Sequence, residues 1–346
     1  MYLTEEEFMG QHVALERTFS YFNSRREEIE AFYKTHPQRR FVLIGSGSSY
    51  MLAKSGQRMF GTCRDTAVSA IAGGDYMVNP SFYAEMVKDS ILVVLTRSAQ
   101  TTEIVRSVKD IREKYGTPVI LVTAKKENDL DNDSDLKFTL DWCYDMSVSQ
   151  TRTVTNLYLS VVYLAAVYGQ NEGMIQGLEK AVSENEQYKK ENRDALKKIA
   201  QKDWDNAVVL ADGPVTGLAE EGALAFTEIS LSSGKAFNVI DYRHGPIVIN
   251  DRKTLTIVLV GPGDQKLQAD MLEDLKKHGG TLVTVSGEKG NTFGADANIY
   301  LGEIKDFASM GIPFIFVMQC LAFEKALIRG TNPDAPVGLD AFITLR

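Results

Sequence analysis

The sequence predicts an α/β protein: two tandem, doubly wound parallel sheets of flavodoxin-like type, related by internal duplication. Three observations lead there. Short, unbroken apolar and β-branched runs alternate with helical periodicity, the pattern of a parallel sheet covered on both faces. The same order returns in the second half in close register. A length of 346 residues accommodates two ordinary domains, each with a full core.

Taken in order, Thr4 with Glu7 three residues on has the form of a capping box opening a first helix. Residues 41–44 form the first strand, run into a Gly/Ser turn and lead to a helix near Tyr50. Strands follow at 91–95, 118–122 and 136–140, with a helix between the first two that ends near Tyr115. The second half repeats this with strands at 207–211, 255–260, 282–285 and 298–301. Gly47, Leu52, Ala53 and Gly56 recur 166 residues later as Gly213, Leu218, Ala219 and Gly222. The segment 110–123 likewise resembles 274–286, so one α/β unit is read as duplicated. Between the copies the chain is highly charged with helical period, which predicts a solvated linker helix. The expected domains are 1–175 with the N-terminal helix, 176–202 as linker helix, and 203–346 with a Gly/Asn/Pro-rich tail.

Hydrophobic residues are 44% and charged residues 24% of the chain, the balance of a soluble globular enzyme. A net charge of −8 argues against nucleic acid as partner, because a phosphate backbone needs concentrated positive charge. A small anion remains compatible, since backbone dipoles can hold it. Cys63, Cys143 and Cys320 are too far apart for a pair or a metal site and read as buried thiols in a reducing compartment. His12, His36, His244 and His278 form no ligand cluster, so no metal and no cofactor are expected. The acidic start does not have the form of a signal peptide. The longest apolar runs, 157–168 and 312–323, fall short of the about 20 residues a span needs. No membrane partner and a cytoplasmic location are therefore expected.

In open parallel sheets ligands bind outside the carboxyl ends of the strands. In the first copy those ends read Gly45-Ser46-Gly47-Ser48-Ser49 and Thr96-Arg97-Ser98-Ala99-Gln100-Thr101-Thr102, hydroxyl-rich and at helix starts. Free N–H groups and the helix dipole there suit a phosphate. The equivalent loops of the second copy, Asp212-Gly213-Pro214-Val215-Thr216 and Gly261-Pro262-Gly263-Asp264, carry acidic residues that repel one. An anion site is thus expected on the first half alone.

These motifs resemble the sugar isomerase (SIS) domain proteins, most closely the isomerase half of glucosamine-6-phosphate synthase. The first loop, 45–50, is similar to that family's first phosphosugar loop, and 96–101 to its serine-rich second loop. Residues 145–153, with Val148 and Gln150, are similar to its third sugar-contacting segment. Residues 219–230, followed by Arg243-His244-Gly245-Pro246, resemble its catalytic helix and histidine turn. The resemblance implies Glu228 as general base and His244 as the ring-opening residue. It implies Glu221 as a contact to sugar hydroxyls, and Ser46, Gly47, Ser48, Ser49, Thr96, Arg97, Ser98, Thr101, Val148 and Gln150 as substrate-binding residues. The chemistry agrees: moving a proton between adjacent sugar carbons needs one carboxylate that takes and returns it. Opening a pyranose ring needs a group titrating near neutrality, which histidine supplies.

Three departures bear on the reaction. Ala341 stands where the synthases carry the tail lysine that forms an imine with the ketose, and Ala225 replaces a second lysine on the catalytic helix. Arg97 and Gln150 replace smaller or neutral residues in the loops. The glutamine-hydrolysing domain of the synthases has no counterpart in the sequence. The expectation is an isomerase/deaminase or deglycase acting on an amino-sugar 6-phosphate or a sugar–amine 6-phosphate adduct. The alternative is a noncatalytic sugar-phosphate sensor. The resemblance also implies a homodimer or higher oligomer, because the histidine turn of the family often reaches the neighbouring subunit.

Overall fold

The structure, a computed structural model, describes residues 2–290 and 292–340. Ala341 therefore lies outside the described residues. The chain forms two compact units. The N-terminal unit comprises Gly10–Met146 and Arg152–Glu179, and the C-terminal unit comprises residues 2–9, Ser147–Thr151 and the described residues of 180–339.

The first half of the chain contains α1 (Leu3–Ser24), α2 (Arg26–Thr35), β1 (Arg40–Gly45), α3 (Ser48–Phe60), β2 (Ala67–Ala72), α4 (Gly73–Val78) and α5 (Pro80–Val87). It continues with β3 (Ile91–Thr96), α6 (Thr102–Tyr115), β4 (Val119–Thr123), β5 (Leu136–Thr139), α7 (Arg152–Tyr168) and α8 (Glu172–Ser183). Its five strands are parallel in the order β2-β1-β3-β4-β5. β1, β3 and β4 are buried almost throughout, which is why they read as continuous apolar runs. Ile44 lies opposite Ile71 on one side and Val94 on the other.

The second half contains α9 (Asn185–Ala200), β6 (Asn206–Leu210), α10 (Thr216–Ile229), β7 (Ser233–Phe237), β8 (Thr254–Val260), α11 (Gln265–His278), β9 (Thr281–Ser286), β10 (Ala297–Tyr300) and α12 (Gly311–Arg329). The order β10-β9-β8-β6-β7, all parallel, is the topology of the first sheet again. Leu210 takes the place of Ile44, between Phe237 and Val258.

The matched glycines fall at matched backbone. Gly47 and Gly213, each just before the first helix of its sheet, have φ of +55° and +57°. In the left-handed region a side chain is disfavoured, so the turn itself requires glycine. A Cβ on Gly56 would come within 2.4 Å of the Leu43 side chain, and one on Gly222 within 2.7 Å of Met318. Both glycines let a helix settle on its neighbours. β2 and β7, absent from the sequence reading, are edge strands at equivalent positions in the two sheets, and only Ile71 among their residues is buried.

Three expectations need correction. The segment 176–202 is not one linker helix but parts of two, α8 and α9, divided at Glu184. Tyr188, Lys189, Leu196 and Ile199 on α9 are buried and the helix packs on α12, so it is not a solvated bridge. The capping box at Thr4 does not form. Asp334 caps α1 instead, accepting from Leu3 N at 2.9 Å, Thr4 N at 2.8 Å and Thr4 Oγ1 at 2.8 Å. Glu7 is engaged elsewhere, by Ser147. Cys63 is half-buried, whereas Cys143 and Cys320 are fully buried. The last helix, α12, is long and apolar enough to cross a membrane by length and composition, yet 89% of its apolar window is buried. It is the core helix of its unit, packed against α9 and α10.

Candidate functional site

In the N-terminal sheet the order in which strands are added reverses between β1 and β3, so the ligand crevice lies outside their carboxyl ends. The two hydroxyl-rich loops meet there. A Cβ on Gly45 would stand 2.4 Å from the backbone carbon of Ser49, so the first loop folds tightly over its own strand end. It brings Ser48 and Ser49 into the first turn of α3, both buried, with Ser46 half-buried before them. Gly73, at the end of β2, completes the wall, and a Cβ on it would lie 3.1 Å from Ser46 Oγ.

The second loop is shaped by its own hydroxyls. Thr96 Oγ1 accepts from Ala99 N at 3.0 Å, and Ser98 Oγ accepts from Gln100 N at 3.2 Å. Each bond uses a lone pair and leaves the hydroxyl proton to donate. Ala99 adopts φ +48°, a strained value for a non-glycine residue that tightens the turn into α6. Lys125 Nζ donates to Gln100 Oε1 at 2.6 Å, so a cation is tied to the loop. Arg97 is buried; its carbonyl accepts from Ala124 N and its guanidinium lies 5.9 Å from the Tyr144 ring centre. Neither α3 nor α6 has a side-chain cap: Gly47 cannot supply one and Thr101 makes none. Ser49 N and Tyr50 N donate to Ser46 O and Gly47 O, and Ile104 N to Thr101 O, so no side chain occupies either helix start and the helix dipoles there favour an anion.

The equivalent crevice of the C-terminal sheet, between β6 and β8, is built the other way. Asp264 caps α11, accepting from Lys266 N at 3.0 Å and Leu267 N at 3.1 Å. Asp212 accepts from Asn238 Nδ2 and Val239 N, and Gln268 Oε1 takes Gly261 N at 2.9 Å. The ring of Phe307 fills the remaining space: a Cβ on Gly213 would meet it at 2.6 Å and one on Gly261 at 2.8 Å. Carboxylates and an aromatic ring occupy what the first copy leaves to a ligand. Sequence reading found the acidic residues but not the ring.

The segment 147–151 belongs to the C-terminal unit. Ser147 N and Oγ donate to Glu7, Val148 N donates to Asp334 O at 3.0 Å, and Gln319 Nε2 donates to Thr151 O at 2.9 Å. Glu7, Asp334 and Gln319 thus fix the loop that carries Val148 and Gln150, both half-buried. These anchors were missed because each lies far from the loop in sequence.

α10 carries Glu221 and Glu228 seven residues apart, on nearly the same face. Glu221 is buried and Glu228 half-buried. The helix is pinned at both levels. Gly234 of β7 approaches so closely that a Cβ would stand 1.9 Å from Ala223 O. Arg329 donates to Ser230 O at 3.1 Å and Leu231 O at 2.9 Å, the two residues that follow the helix, and Leu231 has φ +53°. The histidine turn is held from behind. Tyr242 is buried, burial pushing its phenol up to about 12, and Arg243 pairs with Asp274 at 2.8 Å. His244 itself is exposed and Gly245 follows with φ +114°. The His244 backbone N–H closes the turn by donating to Asp241 O at 2.9 Å.

With this geometry in place, known proteins can be set beside it. The family model of the SIS domain matches residues 35–167. Over 325 residues the chain is 24% identical to a glutamine–fructose-6-phosphate aminotransferase (isomerizing) of Acidithiobacillus ferridurans, covering 88% of this chain and 52% of that protein. The chain thus spans about half the length of the curated relatives it matches. Among solved structures it resembles a glucosamine-6-phosphate deaminase from Thermotoga maritima, with a TM-score of 0.81 at 23% identity over 99% of this chain and 100% of that one. It also resembles a tagatose-6-phosphate ketose/aldose isomerase from Escherichia coli, with a TM-score of 0.85 at 21% identity over 97% and 96% of the two chains.

Proposed function

We propose that this chain, whose residues 35–167 match the SIS domain family model, is a phosphosugar enzyme that shifts a proton between C1 and C2 of a sugar 6-phosphate bearing nitrogen. The observation that carries the reading is the asymmetry of the two crevices. The first offers two helix starts without a side-chain cap and hydroxyl protons left to donate; in the second α10 is likewise uncapped, but Asp264 caps α11 and the Phe307 ring fills the space. In this reading the phosphate sits on Ser46, Ser48, Ser49, Ser98 and Thr101. Glu228 takes the proton from one carbon and returns it to the next. His244 moves the ring-oxygen proton that opens the pyranose. Alanines at positions 225 and 341, where the resemblance puts lysines, favour a substrate that brings its own nitrogen. An amino-sugar 6-phosphate or a sugar–amine adduct meets that need: the proton shift turns its carbon–nitrogen bond into an imine, which water hydrolyses to a carbonyl and the free amine.

A panel of hexose 6-phosphates, amino-sugar 6-phosphates and amine adducts, read first by thermal shift and then by product analysis, tests this. Turnover is expected only where nitrogen is on C1 or C2. If no sugar 6-phosphate binds, the proposal fails; if they bind tightly and none reacts, the protein is a sensor. Replacing Ser98 and Thr101 together with alanine is expected to weaken phosphate-ester binding about tenfold or more, since bonds to a charged group contribute about 1.5–3 kcal/mol each. Unchanged affinity in the double variant would remove the phosphate from this loop.

The exposed histidine turn also supports a homodimer or higher oligomer in which His244 serves a neighbouring copy. Sedimentation at assay concentration is expected to give at least a dimer. A fully active monomer would show that no neighbour is needed.

A further inference from the structure

The second hydroxyl-rich loop, between β3 and α6, is held by a segment to which the proposed reaction gives no role. That segment, 123–129, leaves the carboxyl end of β4, which lies beside β3 in the sheet. Thr123 Oγ1 donates to Arg97 O at 3.3 Å, and Ala124 N donates to the same carbonyl at 3.1 Å. Asp129 N donates to Ala99 O at 3.3 Å, and Lys125 Nζ donates to Gln100 Oε1 at 2.6 Å. Residues 97, 99 and 100 of the loop are thus all tied to one short stretch of chain.

This brace is itself fixed. Asn128 Nδ2 donates to Lys125 O at 3.1 Å, Asn128 Oδ1 accepts from Leu130 N at 3.0 Å, and Leu130 is buried in the same core cluster as Ile104 of α6. The conformation it imposes is an unfavourable one: Ala99 stands at φ +48°, which persists in a non-glycine residue only where the surroundings enforce it. Of the four ties only that of Lys125 is charge-assisted, the stronger kind of hydrogen bond. Lys126 beside it pairs with Asp141 at 2.6 Å, whereas half-buried Lys125 pairs with no carboxylate among the described residues. Its charge therefore remains as positive potential at a loop suited to an anion.

The equivalent segment of the second copy turns elsewhere. After β9, Glu288 O and Gly290 O accept from Asn298 Nδ2 of β10 at 3.0 and 2.7 Å. Toward the start of α11 the bond is a long one, Gln265 Nε2 to Glu288 Oε1 at 3.5 Å. The lysine brace accompanies the open crevice and is not a requirement of the duplicated fold.

We propose that Lys125 is a positioning residue for the substrate phosphate: acting through Gln100, it holds residues 97–100 in the conformation that presents Ser98 and Thr101. This role rests on the phosphate reading of that loop given above. No covalent step is involved.

The test measures binding of glucosamine 6-phosphate and fructose 6-phosphate by calorimetry, and follows the backbone amide resonances of Ser98 and Thr101 in isotope-labelled, ligand-free protein. Lys125→Met and Gln100→Leu are each expected to weaken binding about tenfold, as loss of a bond to a charged group does. The double variant is expected to bind no more weakly than either single one, because both remove the same contact. Lys125→Arg, which keeps a charged donor, is expected to restore most of the affinity. The Ser98 and Thr101 resonances are expected to shift or broaden in Lys125→Met while that of Gly47 in the first loop stays in place. Should Lys125→Met not fold, Gln100→Leu carries the same arms. Wild-type affinity in both single variants, additive losses in the double variant, or a lowered Tm with unchanged affinity of the folded protein overturns the role of Lys125 alone. If the wild-type protein binds neither probe, the phosphate reading fails, and unmoved Ser98 and Thr101 resonances then overturn the brace as well.

Discussion

Glu228→Gln is expected to lower turnover roughly 100- to 10,000-fold while leaving sugar-phosphate affinity within a few-fold of wild type. The amide keeps the shape and hydrogen-bonding capacity of the carboxylate but cannot accept the proton from carbon. α10 makes the comparison clean. The helix is held by Gly222 against Met318, by Gly234 against Ala223 O, and by Arg329 on the carbonyls that follow it, and none of these ties involves the Glu228 side chain. His244→Asn provides the companion measurement. Its loss is expected to slow closed-ring substrate more than an open-chain analogue, because only the former needs ring opening. Steady-state kinetics with a true substrate checks both. A Glu228→Gln enzyme with wild-type kcat would take the general base away from α10.

How much of this was legible in the sequence depends on the range of the interaction responsible. Central strands were readable because burial on both faces leaves an unbroken apolar run, as in β3 and β8. β2 and β7 were not. As edge strands they carry Ala67, Ser69, Ser233 and Lys235 at half-buried or exposed positions, and pairing to one neighbour makes them strands, not hydrophobic pattern. The duplicated glycines were readable because each is required by its own turn or close approach. Helix α1 marks the limit: Thr4 and Glu7 fit a local capping box, yet Asp334, 330 residues from Thr4, offers a carboxylate that satisfies two backbone donors and the hydroxyl at once. A charged acceptor for three donors outcompetes a single local bond. The closed second crevice was half legible, since Asp212 and Asp264 are local to their loops whereas Phe307 reaches Gly213 and Gly261 only in the folded unit. Similarly, Glu7, Gln319 and Asp334 fix the segment 147–151 from distant parts of the chain.

Gly45→Val is expected to abolish sugar-phosphate binding and to destabilise the N-terminal unit. The new Cβ would lie 2.4–2.7 Å from the carbonyl carbon and oxygen of Ser49 and the nitrogen of Tyr50, all backbone atoms of the first turn of α3. No rotamer relieves such a clash, so the turn must move away from β1. Overpacking of this kind costs about 1–3 kcal/mol, which for a unit of this size corresponds to a fall in Tm of roughly 2–12 °C. The effect on binding is the more specific one. The displaced turn carries Ser48 and Ser49, proposed to hold the phosphate, so affinity for a sugar 6-phosphate should fall by far more than the change in folded fraction explains. Gly222→Ala in the second copy provides the control: its Cβ meets the flexible Met318 side chain, so stability should fall while phosphate affinity per folded molecule stays unchanged. Calorimetric titration below the Tm of each variant separates the two effects. A Gly45→Val protein that binds sugar phosphate as wild type does would mean that the first turn of α3 is not where the phosphate sits.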